Sequence, residues 1–119
     1  MDTFRPDSFL PLTPVAFEIL LALADGERHG YSILQEVESR SGGTVALHAG
    51  TLYRALARLL ESQLIDEPAV SPDPDSCDER RRYYRLTPRG IAVARAEVAR
   101  LEGQLHAART RKLLKGVRA

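Results

Sequence analysis

The stretch from residue 47 to residue 65, LHAGTLYRALARLLESQLI, constrains the fold more than any other part of this chain. Leucines recur through it at the spacing of an α-helix, which predicts one buried apolar face. They are Leu52, Leu56, Leu59 and Leu60. The opposite face carries Tyr53, Arg54, Ala57 and Arg58, so it presents a phenol and two guanidinium groups among small residues. Small residues allow close approach, and arginine forks match phosphates and the edge of guanine in the DNA major groove.

The elements around this helix predict a mainly α fold with a small β-hairpin. Thr13-Pro14 and Thr87-Pro88 are helix starts, because threonine caps the free amides and proline fits the first helical position. A second helix is expected over residues 30–41, a strand over 64–70 and a return strand over 80–86, with an acidic loop, SPDPDSCDE, between the strands. Helix, hairpin and a second basic element follow one another in the order of a winged helix-turn-helix.

The helix after Thr87-Pro88 is expected to run past Leu105, as far as Leu114 at most. Its apolar residues alternate at spacings of three and four and form a heptad seam. They are Ile91, Ala94, Val98, Leu101, Leu105 and Ala108. The core of so small a domain cannot cover the far end of this seam. The exposed apolar residues therefore predict a contact with a second copy of the chain. The domain division is then residues 1–12 as an N-terminal arm, 13–87 as the winged helix-turn-helix and 88–119 as the C-terminal dimerisation helix.

The arm contains two prolines and three large apolar residues, Phe4, Phe9 and Leu10. Two interpretations of it remain open. The apolar residues dock on another surface, such as a partner subunit, or the arm is a frayed terminus.

Composition excludes several classes of protein. The chain has 119 residues, which suits a single domain, and its only cysteine, Cys77, forms neither an internal disulfide nor a cysteine-rich zinc site. No apolar run approaches membrane-spanning length and no signal-peptide region follows Met1, which favours a soluble cytoplasmic protein. No nucleophile with a base, no glycine-rich phosphate loop and no metal-spaced His and Glu occur, so we expect neither enzyme activity nor a metal or cofactor.

Charge is distributed unevenly along the chain. Residues 1–79 carry 5 basic and 14 acidic side chains, a net charge of −9, whereas residues 80–119 carry 12 basic and 2 acidic ones, a net charge of +10. This asymmetry indicates a basic surface that meets a polyanion, or two opposite surfaces that meet each other. The simpler alternative is that the basic side chains of residues 80–119 form the solvated face of a helix and meet no charged partner.

Three motifs in register resemble the signature stretches of PadR-type transcriptional regulators. They are HGYSILQEV at residues 29–37, GTLYRALARL at 50–59 and RRYYRLTPRG at 81–90. The resemblance covers about residues 12–90, and the single helix beyond them resembles the smaller subfamily. It implies a homodimer whose C-terminal helix packs against the partner's N-terminal region. It also implies repression of a nearby promoter, relieved by a small molecule or by partner changes.

The candidate DNA-binding residues come from this resemblance and from the residues themselves. The set is Tyr31, Thr51, Tyr53, Arg54, Arg58, Arg80, Arg81 and Arg82. By position, Thr51, Tyr53 and Arg54 match the recognition helix of the family. Tyr31 matches a tyrosine near the phosphate backbone, and Arg81 and Arg82 match the basic wing.

Each of these candidates has a structural alternative. Arg54 and Arg58 are either DNA contacts or solvated arginines paired with Glu61. Tyr53 either reaches a phosphate or packs on its own domain. Tyr31 either contacts the backbone or packs in the core with its hydroxyl outside. The wing arginines either bind phosphates or solubilise a strand edge.

Other residues carry structural expectations or depart from the family. Tyr84 is expected in the core, and His29 is expected to cap or pack locally. His48 stands where related sequences often place a serine cap, and the absence of tryptophan gives no support for a drug-binding role.

Two functions of different classes follow from these observations. The favoured one is a sequence-specific regulator that binds double-stranded DNA as a homodimer at an inverted repeat, as a repressor, with an effector of unknown identity. The alternative is a winged-helix module that serves protein–protein assembly without binding DNA.

Overall fold

In the computed structural model the described residues are 3–42, 47–68 and 82–113. Within these ranges lie four α-helices, three short strands and one short 3-10 helix. In chain order they are the 3-10 helix Pro6–Phe9, α1 Pro14–Leu23, β1 Arg28–His29, α2 Gly30–Arg40, α3 Ala49–Glu61, β2 Ile65–Asp66, β3 Tyr83–Leu86 and α4 Pro88–Thr110. This is the mainly helical winged architecture that the sequence predicts.

Side-chain caps explain where three of the helices begin. The hydroxyl of Thr13 accepts a hydrogen bond from the Ala16 amide at 3.1 Å, and that of Thr87 accepts one from the Gly90 amide at 3.0 Å. His29 caps α2, since its Nδ1 accepts from the Ser32 amide at 3.0 Å. Both Thr-Pro starts and the capping role of His29 are therefore confirmed.

Helix α3 begins differently. The residue before it, His48, makes no side-chain hydrogen bond to the first turn. The helix is held by burial of its apolar face instead. Leu52, Leu56 and Leu59 are buried, and Leu60 packs at the edge of the core.

The core lies where α1, α2 and α3 meet, and the sheet and the first turns of α4 close it. Its largest fully buried apolar residues are Ile19, Leu20, Ile33, Val37, Leu52, Leu56, Leu64, Ile65 and Val93. Tyr84 is buried as predicted. The core is thus mainly aliphatic, and α1 supplies four of its buried residues and α3 three.

The sheet differs from the predicted hairpin in two respects. It has three antiparallel strands in the order β1-β3-β2, and β1 was not predicted because two residues are too few for an alternating pattern. Arg28 pairs with Tyr84 on one side of β3, and Ile65 pairs with Leu86 on the other.

The strands of the wing are also shorter than predicted. β2 ends at Asp66, and the nearby Pro68 has no amide to donate to a continued ladder. β3 begins at Tyr83, so Arg82 precedes the strand. Residues 69–81, which include the acidic loop with Cys77 as well as Arg80 and Arg81, lie outside the described residues, as does Leu114.

The N-terminal arm packs on α4 of its own chain, so the frayed alternative is wrong for residues 3–12. Phe4, Phe9 and Leu10 are half-buried against the core, and the guanidinium of Arg89 lies 4.8 Å from the centre of the Phe4 ring. The backbone amide of Leu12 donates to Glu97 Oε2 at 3.0 Å. Contact of these apolar residues with a partner subunit stays a prediction.

Candidate nucleic-acid interface

Three polar side chains of α3 lie on one side of the helix. Thr51, Arg54 and Arg58 follow one another at spacings of three and four. Arg54 and Arg58 are exposed, and Arg54 Nη2 lies 3.4 Å from the Thr51 hydroxyl. Among the residues that the structure describes, neither arginine forms an ion pair with Glu61 or another acid. The ion pair with Glu61 that the alternative invoked is therefore not observed, and both side chains are exposed to solvent. Contact of Arg54 and Arg58 with DNA stays a prediction.

Tyr53 lies against the start of α2. A Cβ atom built on Gly30 would stand 2.7 Å from the Tyr53 hydroxyl and 3.1 Å from its ring, so the ring occupies the space that a larger residue would fill. The side chain is half-buried against the core. This geometry favours the packing alternative for Tyr53, and a phosphate contact by its hydroxyl stays a prediction.

Tyr31 lies at the same end of α2 but points away from the core. Its side chain is 53% exposed, so the alternative of a core tyrosine is wrong. The first turn of α2 therefore presents one exposed phenol, at Tyr31, next to the packed one at Tyr53. A contact of Tyr31 with a DNA backbone remains a prediction.

In the described part of the wing, two arginines at or beside β3 pair with acidic side chains at or just after the end of β2. Arg82 forms an ion pair with Glu67, and Arg85 Nε contacts Asp66 Oδ1 at 2.7 Å. The hydrogen bond and the charge of Asp66 raise the pKa of Arg85, which therefore stays protonated. The wing is less basic here than its run of arginines suggests, because Glu67 and Asp66 offset the charges of Arg82 and Arg85.

The apolar seam of α4 remains open to solvent along most of its length. Ile91, Val98, Leu101 and Leu105 are between 37% and 43% exposed. Near its start the seam borders a groove of about 590 Å³ between α1 and α4, whose lining includes Leu20, Leu23 and Val98. The described residues of the chain do not cover this surface, as the spacing predicted. Its burial in a dimer stays a prediction.

One residue that the sequence patterns did not single out, Glu97, connects the N-terminal arm to α4. Glu97 is buried, with 2% of its surface exposed, and is the only buried charged side chain in the described ranges. It binds the Leu12 amide and forms an ion pair with Arg100, and the hydrogen bond from Arg100 is the main reason that its pKa is lowered. Gly90, Val93 and Glu97 form the buried face of α4, so their spacing of three and four was the available signal.

The described ranges contain neither a cluster of metal ligands nor a membrane-spanning helix. No three His, Cys, Asp or Glu side chains there stand close enough to hold a metal ion. Among those same residues, no helix combines the length and apolar character needed to cross a membrane.

Comparison with known proteins agrees with this architecture. The transcriptional regulator PadR-like family matches residues 19–96 of the chain. A transcriptional regulator from Clostridium thermocellum shares 26% identity at a TM-score of 0.64, over 98% of this chain and 100% of that one. A PadR family transcription regulator from Clostridium difficile, at 24% identity and a TM-score of 0.67 over 82% of this chain and 97% of that one, supports the fold alone.

Curated relatives add sequence similarity without a described activity. An uncharacterized 37.1 kDa protein in transposon TN4556 of Streptomyces fradiae is 40% identical over 90 residues, which is 73% of this chain. The chain spans only 24% of that relative and 65% of a second one, from Lysinibacillus sphaericus. Because the family match covers more than half of the sequence and the winged fold agrees with it, the chain belongs to the PadR-like family of transcriptional regulators.

Proposed function

We propose that this protein binds duplex DNA through α3 and regulates transcription as a homodimeric repressor at an inverted repeat. The observation that carries the proposal is the exposed face of α3. Its two arginines lack acidic partners among the described residues, and its leucines anchor the helix in the core. A helix anchored in this way presents its donors to the major groove at a fixed orientation.

The residues divide into two roles. Arg54 would read a base edge, since it lies near the start of α3 and arginine makes a bidentate contact with guanine. Arg58, Tyr31 and the wing arginines Arg80, Arg81 and Arg82 would contact phosphates, which position the protein but carry no sequence information.

The open seam of α4 supports the proposed homodimer. A second copy would bury the exposed apolar side chains and would place two copies of α3 at a fixed distance. A twofold dimer then reads two half-sites about one or two helical turns apart. The proposed role is regulatory and not enzymatic.

An assembly module without DNA binding is the second candidate. It is favoured by the paired wing arginines, Arg82 with Glu67 and Arg85 with Asp66, which reduce the positive charge that the wing offers to DNA. In such a module the exposed face of α3 would meet an acidic protein surface.

A titration with two single variants separates the two candidates. Labelled duplexes from the promoter next to the gene, and random duplexes of equal length, are titrated at two salt concentrations. Arg54→Ala is expected to weaken binding to the promoter by about 1–3 kcal/mol and to reduce the preference over random DNA. Arg109→Ala removes the same charge from the exposed end of α4 and serves as the matched control.

The outcomes assign the function. Loss of preference in Arg54→Ala with the control unchanged supports base reading by α3. Equal behaviour of the two variants removes Arg54 from the interface, and no binding of the wild-type protein to any duplex at low salt favours the assembly module.

A further inference from the structure

A groove of about 370 Å³ lies between the end of the N-terminal arm, the start of α1 and the exposed side of α3. This volume falls within the range of small-molecule sites. Apolar side chains form most of its walls: Phe9, Leu12, Val15, Ala16, Ala55 and Leu59. All but one of these are aliphatic, so the groove suits a flexible hydrocarbon better than a flat ring system.

The polar part of the groove is positively charged. Arg54 and Arg58 line it one helical turn apart, and Thr51 adds a hydroxyl one turn earlier. No acidic residue belongs to the lining, and neither guanidinium forms an ion pair in the described part of the chain. Arginine forks bind carboxylates through paired, charge-assisted hydrogen bonds. The groove therefore combines an apolar wall with two donors for a single anionic head group.

The wall opposite α3 is held in place before any ligand arrives. The Leu12 amide donates to the buried carboxylate of Glu97, and Thr13, the next residue, caps α1. Glu97 is in turn paired with Arg100. A preformed wall lowers the ordering cost of binding.

We propose that this groove binds an aliphatic carboxylate whose head group pairs with Arg54 and Arg58 and whose chain lies along the arm. Because the same arginines are assigned to DNA, ligand and DNA exclude each other, so the ligand acts as an inducer. The regulatory part of the proposal rests on the proposed function, whereas binding of the ligand does not. A neutral chain would leave the guanidinium groups unused, and a small anion would leave the walls unused.

The test uses decanoate as the probe, with decanol and acetate as controls, in calorimetry on the full chain at constant ionic strength. Decanoate is expected to bind with one site per chain and at least about tenfold more tightly than either control. At a free concentration ten times its dissociation constant, competition should raise the apparent Kd for DNA about elevenfold for each chain that must release its ligand, and so about 120-fold for a dimer that binds through both chains. Acetate binding as tightly as decanoate would mean an adventitious anion on exposed arginines and would overturn the proposal.

A filling variant locates the site. Ala16→Leu adds bulk to the groove wall away from the arginines, and Gln35→Leu adds the same side chain to the exposed side of α2. Ala16→Leu is expected to lose at least tenfold in decanoate affinity and to keep the wild-type Kd for DNA, while Gln35→Leu should match the wild type in both. Retained decanoate binding by Ala16→Leu would place the ligand elsewhere, for example between α1 and α4.

Nuclear magnetic resonance gives an answer that needs no variant. Methyl groups of Val15, Ala55 and Leu59 should shift with decanoate, and those of Leu20 and Ala94 in the α1–α4 groove should not. The opposite pattern would contradict the site. If the protein binds decanoate but no DNA, the proposed function fails and the binding site stands; if it binds DNA but no decanoate, only the binding site fails.

Discussion

At the scale of single residues, the packing of α4 against the segment that joins α3 to β2 depends on one missing side chain. A Cβ atom on Gly90 would stand 1.9 Å from the backbone oxygen of Leu64. A backbone atom cannot turn away as a side chain can, so any larger residue here must push α4 off the core. Gly103, on the same helix, has nothing within 4 Å of its Cβ position.

The two glycines therefore predict opposite effects of the same substitution. Gly90→Ala should lower the free energy of unfolding by about 3 kcal/mol, because of the clash with Leu64. Gly103→Ala should raise it by about 1 kcal/mol, because alanine is the better helix former at an exposed helical position. Urea unfolding of both variants measures the difference, and two effects of the same sign would contradict the packing described for α4.

At the scale of elements, Glu97 joins the N-terminal arm to α4. Its carboxylate is buried, accepts a hydrogen bond from the Leu12 amide and pairs with Arg100. Burial alone would disfavour the charged form, but the hydrogen bond from Arg100 outweighs it and lowers the pKa of Glu97. The folded state thus binds the proton less readily than the unfolded chain does.

This difference in pKa predicts how stability depends on pH. The stabilisation by ionised Glu97 is present above the unfolded pKa and is lost as pH falls through the lower, folded pKa. Glu97→Gln should therefore destabilise the protein at neutral pH, and the gap between variant and wild type should narrow as the pH falls below about 4.5. Glu102→Gln, at an exposed position of α4, is the control for loss of charge. A gap that does not change with pH would mean that the Glu97 charge contributes nothing to stability.

The wing is the second element whose charges can be tested. Glu67 offsets the charge of Arg82, so Glu67→Gln should strengthen binding to promoter and random duplexes alike. Neutralising Arg81 and Arg82 together should weaken both and reduce the slope of log K against log salt by roughly one unit for each phosphate that the variant no longer binds. A slope that neither substitution alters would place these arginines outside the DNA interface.

At the scale of the whole molecule, the open seam of α4 connects assembly with DNA affinity. The seam and the groove between α1 and α4 leave a continuous apolar surface that the described part of the chain does not cover. Burial of such a surface against a second copy contributes about 25 cal/mol for each Å² removed from water. One winged domain alone would make few phosphate contacts and would bind weakly at physiological salt.

Charges in the seam should therefore abolish both properties together. Val98→Glu combined with Leu101→Glu is expected to give a monomer that no longer protects the inverted repeat, because two desolvated carboxylates would oppose the dimer. Ala99→Glu, at an exposed position turned away from the seam, is the control. Molar mass by light scattering and DNA protection are measured on all three proteins. A double variant that stays dimeric and binds as before would move the interface elsewhere, with Phe4, Phe9 and Leu10 of the arm as the next residues to test.

Local patterns in the sequence were enough to predict the helices and the class of fold. The leucines at 52, 56 and 59 recur at helical spacing and are buried, and the two Thr-Pro pairs start α1 and α4. Tyr84 and Leu86 alternate with Tyr83 and Arg85 along β3, and Tyr84 is buried as this alternation predicted. Periodicity and capping act within a few residues, so they can be read before the chain is folded.

Contacts between distant parts of the chain were decided only by the tertiary structure. The pairing of β1 with β3, the placement of the arm on α4 and the packing of Tyr53 on Gly30 each join residues far apart in sequence. The buried carboxylate of Glu97 and the pairing of Arg82 with Glu67 are of the same kind. Each depends on which surfaces meet once the core has formed, and a local pattern holds no information about the surface on the other side.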